Sequence, residues 1–229
     1  MLTINDIVSY HIDNPDVKLA IYTDKISDLD ILSKTNSTII KASSIYEKNS
    51  IKHINILDIS YNEDIELTIS KKAKLLSDII NFCIRPSTLL KSQEQIIEGV
   101  LKQLYGICKS YLDRNNKEKA YEISPTLKDV ESRLSVYKVG TDGYALKDIM
   151  KQIGLFDKEI CYQTNIDTNN NLICFIADEG MYENVIWQLI FMDFVYNLRL
   201  NNPKYDIISK TFINGKTKKP FLKALHLYV

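Results

Sequence analysis

The sequence predicts an α+β protein with a small N-terminal mixed sheet, central helices, and C-terminal β-hairpins packed on a long apolar helix. Three observations lead there. Apolar residues alternate at period two in runs from Val17 to Ile69 and again from Glu159 to Asp178, whereas from Ser70 to Ile153 they recur at three and four. The apolar fraction is 45% and the charged fraction 25%, which is the composition of a chain that packs a core. The stretch Val185 to Val195 is apolar almost all round, so it must be covered on more than one side.

Taken in order, Ile4 to Ile12 forms an amphipathic helix with Thr3 as its cap and Asn14-Pro15 as its stop. Val17 to Tyr22 reads as a strand and Ser27 to Lys34 as a short helix. Ser37 to Ser43, Lys52 to Ile59 and Asp64 to Ile69 read as three further strands, because His53, Asn55, Leu57 and Ile59 alternate with Ile54, Ile56 and Asp58. A helix from Ser70 ends at Arg85-Pro86, since proline disfavours helical geometry in the residue before it. The longest helix of the first half follows, from Ser87 or Ser92 to Arg114, with Ile96, Val100, Leu104 and Cys108 along one side.

Ser124-Pro125 starts the next helix, and Gly140 to Gly143 turns the chain into another, Tyr144 to Ile153, which Gly154 closes. Glu159 to Ile166 and Leu172 to Asp178, joined by the polar run Asp167 to Asn171, suggest a hairpin. The apolar helix Tyr182 to Leu200 comes next, and a second hairpin around Asn214-Gly215 ends the chain. The polar segment Asn115 to Ser124 marks a lobe boundary, giving an α+β lobe over 1–114 and a helix and hairpin lobe over 124–229, unless the two form one continuous domain.

Charge balances, with 29 basic and 29 acidic side chains, so no global field favours a polyanion. Cys83, Cys108, Cys161 and Cys174 are scattered without a Cys-x-x-Cys pair, three of them in apolar runs, and read as buried free thiols. No basic-then-apolar leader opens the sequence, and no apolar stretch approaches the ~20 residues of a bilayer span. The expectation is a chain that is neither secreted nor membrane-bound, in the cytoplasm or in a virion. Abundant isoleucine, lysine and asparagine beside scarce arginine indicate AT-rich coding, as in low-GC bacteria and their phages.

No motif demands a catalytic residue, a metal ligand or a cofactor. The histidines His11, His53 and His226 are isolated in sequence, and Gly215-Lys216-Thr217 has Lys210 where a phosphate-binding loop needs glycine. A metal-dependent nuclease would use Asp16 and Lys18 with Asp58, Asp64 and Glu66 gathered across neighbouring strands. Ser124 to Asp178 has the element order of a winged helix, which would present Lys147, Lys151 and Gln152 to a groove and touch the backbone with Asn169 to Asn171. The C-terminal lysines Lys204, Lys210, Lys216, Lys218, Lys219 and Lys223, interleaved with Tyr205, Phe212 and Phe221, suit an acidic or nucleic-acid partner, or guard an exposed strand edge.

Neutral charge, fourteen tyrosines and long apolar helices favour a non-enzymatic assembly protein that works through protein–protein contacts, with itself or with other subunits. A ring-forming connector or tail part of a phage is the concrete form of that expectation. The alternatives are a nucleic-acid-binding protein using the winged-helix-like segment and basic C-terminus, and, behind it, the metal-dependent nuclease.

Overall fold

The computed structural model describes residues 4–13, 18–23, 29–41, 53–60, 63–157, 162–166, 170–176, 183–201 and 205–209. The fold is α+β and divides into two compact units, one made of residues 1–46 and 166–229, the other of the intervening 47–165. The segment 115–124, expected as a lobe boundary, falls inside the second unit.

The first unit contains α1 (Ile4–Asp13), β1 (Lys18–Thr23), α2 (Leu29–Leu32) and β2 (Ser37–Lys41) from before the intervening unit. After it come β3 (Leu172–Ile176), α8 (Glu183–Asn201) and β4 (Tyr205–Ser209). The strands form one four-stranded sheet in the order β2-β3-β1-β4. Every pairing is parallel, with Leu19 opposite Leu172, Ser37 opposite Leu172 and Lys18 opposite Tyr205.

This corrects two expectations. The sheet is parallel instead of mixed, and Leu172–Ile176 is an interior strand instead of one arm of a hairpin. A parallel strand covered on both faces is apolar at every position, and Leu172 to Ile176 is buried throughout. On one face Ile21, Leu172, Cys174 and Ile176 meet Val8 of α1 and Leu32 of α2. On the other, the Tyr22 and Phe175 rings stack with centroids 5.8 Å apart, and Phe191 of α8 tilts against both. Burial of every residue from Ile190 to Val195 matches the all-round apolar character of that helix. The expected C-terminal hairpin lies outside the described residues beyond Ser209.

The second unit is helical: α3 (Ile65–Cys83), α4 (Lys91–Asp113), α5 (Lys117–Glu122), α6 (Leu127–Leu134) and α7 (Asp142–Gln152). The long α4 packs against α3, α5, α6 and α7, burying Ile97, Val100, Leu101, Tyr105 and Cys108. Asp64 to Ile69, expected as a strand, is instead the start of α3. The Asp64 side chain accepts from the Glu66 and Leu67 amides, both at 3.0 Å, so it supplies acceptors that a helix start requires. Residues 53–60, also expected as a strand, pair with no strand of the sheet and run as an irregular, almost wholly buried segment. Among the described residues no helix is long and apolar enough to cross a membrane.

Candidate interaction surface

Lys147 and Lys151, the two lysines expected to make contacts from the middle of the chain, fall one turn apart on α7. With Glu131 of α6 and with Tyr144 and Asp148 of α7 they line an open groove of about 130 Å³. The acidic members have partners within the unit: Glu131 faces Lys128 at 3.6 Å, and Asp148 accepts from the Gln152 amide at 2.8 Å. Among the described residues neither lysine enters an ion pair.

The turn between α6 and α7 is apolar on its outside and well tied on its inside. Val136 and Val139 are 76% and 79% exposed, and Tyr144, in the first turn of α7, is 40% exposed. Thr141 caps α7, its hydroxyl accepting from the Tyr144 amide at 3.3 Å and donating to the Lys138 carbonyl at 2.7 Å. Gly140 takes φ +87°, a left-handed conformation that glycine adopts without steric cost. The Tyr137 ring lies so close over Gly143 that a Cβ there would sit 2.3 Å from ring carbons.

Among the described residues the two strands expected to form a wing after α7 do not pair with each other; the rest of that wing lies outside the described residues. Past the short 3₁₀ turn Leu155–Asp157, residues 163–165 run beside the 53–55 segment. Asn165 donates its amide to the His53 carbonyl at 3.2 Å, and the His53 amide donates to Asn165 Oδ1 at 2.6 Å. Leu172–Ile176 belongs to the parallel sheet, and Asn170, expected at a wing tip, donates to Thr38 Oγ1 at 2.9 Å. The C-terminal lysines Lys204, Lys210, Lys216, Lys218, Lys219 and Lys223 lie outside the described residues.

The carboxylates of the nuclease reading are separated by their own jobs. Asp64 caps α3, and Glu66 pairs with Lys109 at 3.2 Å on the surface. Asp58 is buried, accepting from Asn55 Nδ2 at 2.8 Å and from the Tyr121 hydroxyl at 3.2 Å. Burial pushes its carboxyl up to about 6, opposed by hydrogen bonds from Thr164, Tyr121 and Asn55 and by the Lys72 charge. Asp16 is not described, and among the described residues no group of His, Cys, Asp or Glu is placed to hold a metal ion.

Asp58 belongs to a polar knot that pattern reading missed. Asn55 Oδ1 accepts from the Leu57 amide at 3.0 Å, and its Nδ2 also donates to the Pro125 carbonyl at 2.9 Å. Ser124 Oγ accepts from the Ile59 amide at 3.1 Å, and the Tyr105 hydroxyl donates to the Leu57 carbonyl. These bonds satisfy backbone that no sheet satisfies, which is why an irregular segment can be buried here. The signal was the pair Asn55 and Asp58 at a spacing of three inside an apolar run, where an Asx turn competes with a strand.

No family description and no curated protein matches the sequence. Among solved structures the chain is similar to VirB4 of Thermoanaerobacter pseudethanolicus, with a TM-score of 0.66 at 11% identity, covering 92% of this chain and 80% of that one. At that identity the likeness concerns the fold, and the fold is VirB4-like.

Proposed function

We propose that this chain is a non-enzymatic assembly protein that works through protein–protein contacts made from a VirB4-like scaffold. The observation that carries the reading is the α6–α7 turn, where Val136 and Val139 are held out to solvent by a hydrogen-bonded, glycine-shaped turn. Apolar side chains fixed in exposed positions lose little conformational freedom when covered, which favours an interface. Nothing in the fold or in the comparisons points toward a virion, so that part of the expectation is not carried forward.

Nucleic-acid binding is the second reading, favoured by Lys147 and Lys151, which among the described residues form no ion pair. Among the described residues it rests on α7 alone. Light scattering of the purified chain over a wide concentration range, with nucleic acid removed and then added back, separates the two. The assembly reading expects a defined oligomer, or a defined complex with a protein partner, whose mass ignores nucleic acid. A chain that stays monomeric and changes mass only on adding DNA or RNA overturns it.

A further inference from the structure

We propose that residues 162–165 are a strap over the buried Asn55–Asp58 turn whose hold is set by proton binding at Asp58, tight in acid and loosened toward neutral pH. The strap lies at the surface, with Tyr162, Gln163 and Asn165 exposed and Thr164 half-buried. The turn it covers is closed to solvent, Asn55 being 2% and Asp58 4% exposed. Side-chain bonds do most of the holding. The Asn55 amide donates to Thr164 Oγ1 at 2.8 Å, the His53 amide to Asn165 Oδ1 at 2.6 Å, and Gln163 Nε2 to the Ser124 carbonyl at 2.6 Å. A surface segment tied in this way opens at lower cost than the packed helices of the same unit.

Thr164 joins the strap to the carboxylate. Its oxygen receives the Asn55 amide, and its hydroxyl donates to Asp58, which also accepts from Tyr121 of α5 and from Asn55. Lifting the strap removes the Thr164 donor and admits water to Asp58, and water favours the ionised form over the neutral one. The closed strap therefore holds a proton that the open strap releases. Burial outweighs the hydrogen bonds from Thr164, Tyr121 and Asn55 and the Lys72 charge from α3, so the closed value is about 6 against an ordinary 3.8. By linkage the closed form is fully stabilised below about pH 4 and loses that stabilisation as pH rises through about 6. The titratable groups facing this contact are Lys72 and Tyr121, which act on Asp58, and His53, whose ring tilts against Tyr162 with centroids 5.1 Å apart.

Amide hydrogen exchange on the full chain, corrected for the intrinsic pH dependence of exchange, reads the strap through the amides of His53, Asn55 and Asn165. Their protection is expected to lie at least about a hundredfold below that of amides within α4 and to ignore low urea, the mark of local opening. Between about pH 5 and 7.5 it is expected to fall about tenfold. D58N, which cannot ionise, is expected to remove that dependence, and H53Q to keep it. The carbon-13 shift of the Asp58 carboxyl in the native chain, a reading that needs no variant, is expected to turn over in the same range. Protection that is flat with pH, or strap amides that exchange only together with α4, overturns the proposal. So does a pH dependence that survives in D58N or vanishes in H53Q, or an Asp58 carboxyl that stays ionised throughout the range.

Discussion

Asn55 donates its side-chain amide to Asp58 Oδ1 at 2.8 Å, a bond that closes one buried turn inside the 53–60 segment. The same Asn55 amide reaches the Pro125 carbonyl just before α6, and Asp58 receives Tyr121 from α5. Two adjacent polar side chains thus tie an irregular segment to two helices.

The protonation of Asp58 makes stability depend on pH in an unusual direction. Its folded value is about 6 against an ordinary 3.8, so between those values the folded chain keeps a proton that the unfolded chain has released. Stability from this group is therefore full below about pH 4, falls as pH rises, and is lost above about 6, a change of about 3 kcal/mol. Urea unfolding of the native chain and of D58N, compared from acid to neutral pH, should show that difference in slope. Parallel pH profiles would refute it.

Replacing Asn55 by leucine keeps the volume but removes every bond of the knot that it makes, stranding the Leu57 amide and the Pro125 carbonyl. A loss of about 3 kcal/mol is expected in denaturant unfolding. Tyr105→Phe removes only the hydroxyl that meets the Leu57 carbonyl and should cost about 1 kcal/mol.

Gly143→Ala would drive its methyl into the Tyr137 ring, since the nearest ring carbons are 2.3 Å from where a Cβ must stand. We expect destabilisation of about 2 kcal/mol, and less than additive loss when Tyr137→Ala is combined with it, because the second change removes the obstacle. Thermal unfolding of the three variants measures the coupling. Additive losses would mean that the ring moves aside.

Burial pushes the Cys108 thiol up to about 11 and the Cys174 thiol up to about 12. Both should resist iodoacetamide in the native chain and react once denaturant is added, because the thiolate is the nucleophile. Cys83, only partly buried, should be alkylated ahead of them. Peptide mass mapping over time reads the order.

The helices were legible where periodicity ran long enough. Ile4 to Ile12, the stretch ending at Arg114 and Tyr144 to Ile153 each lie within about two residues of α1, the end of α4 and α7. The sheet was legible by strand but not by partner. Val17 to Tyr22, Ser37 to Ser43 and Leu172 to Asp178 locate β1, β2 and β3, yet a short apolar run looks the same in a hairpin and in a parallel sheet. Which strand it meets is a long-range fact that local pattern does not carry. Lys147 and Lys151 were legible as a surface pair for the same reason that α7 was, since a spacing of four puts them on one side. The exposure of Val136 and Val139 was not, because what an apolar residue in a turn shows to solvent depends on what the rest of the unit leaves uncovered.

The strand order has a consequence for how this chain comes off the ribosome. β1 and β2, made first, are not neighbours, since β3 stands between them. Neither can begin a ladder until Leu172–Ile176 has been synthesised, after all of residues 47–165. That second unit, rich in contacts between helices close in sequence, can acquire structure while the earlier strands wait. The nascent chain therefore carries two apolar strands with unmet backbone for most of its synthesis, the interval in which a chaperone would be of most use.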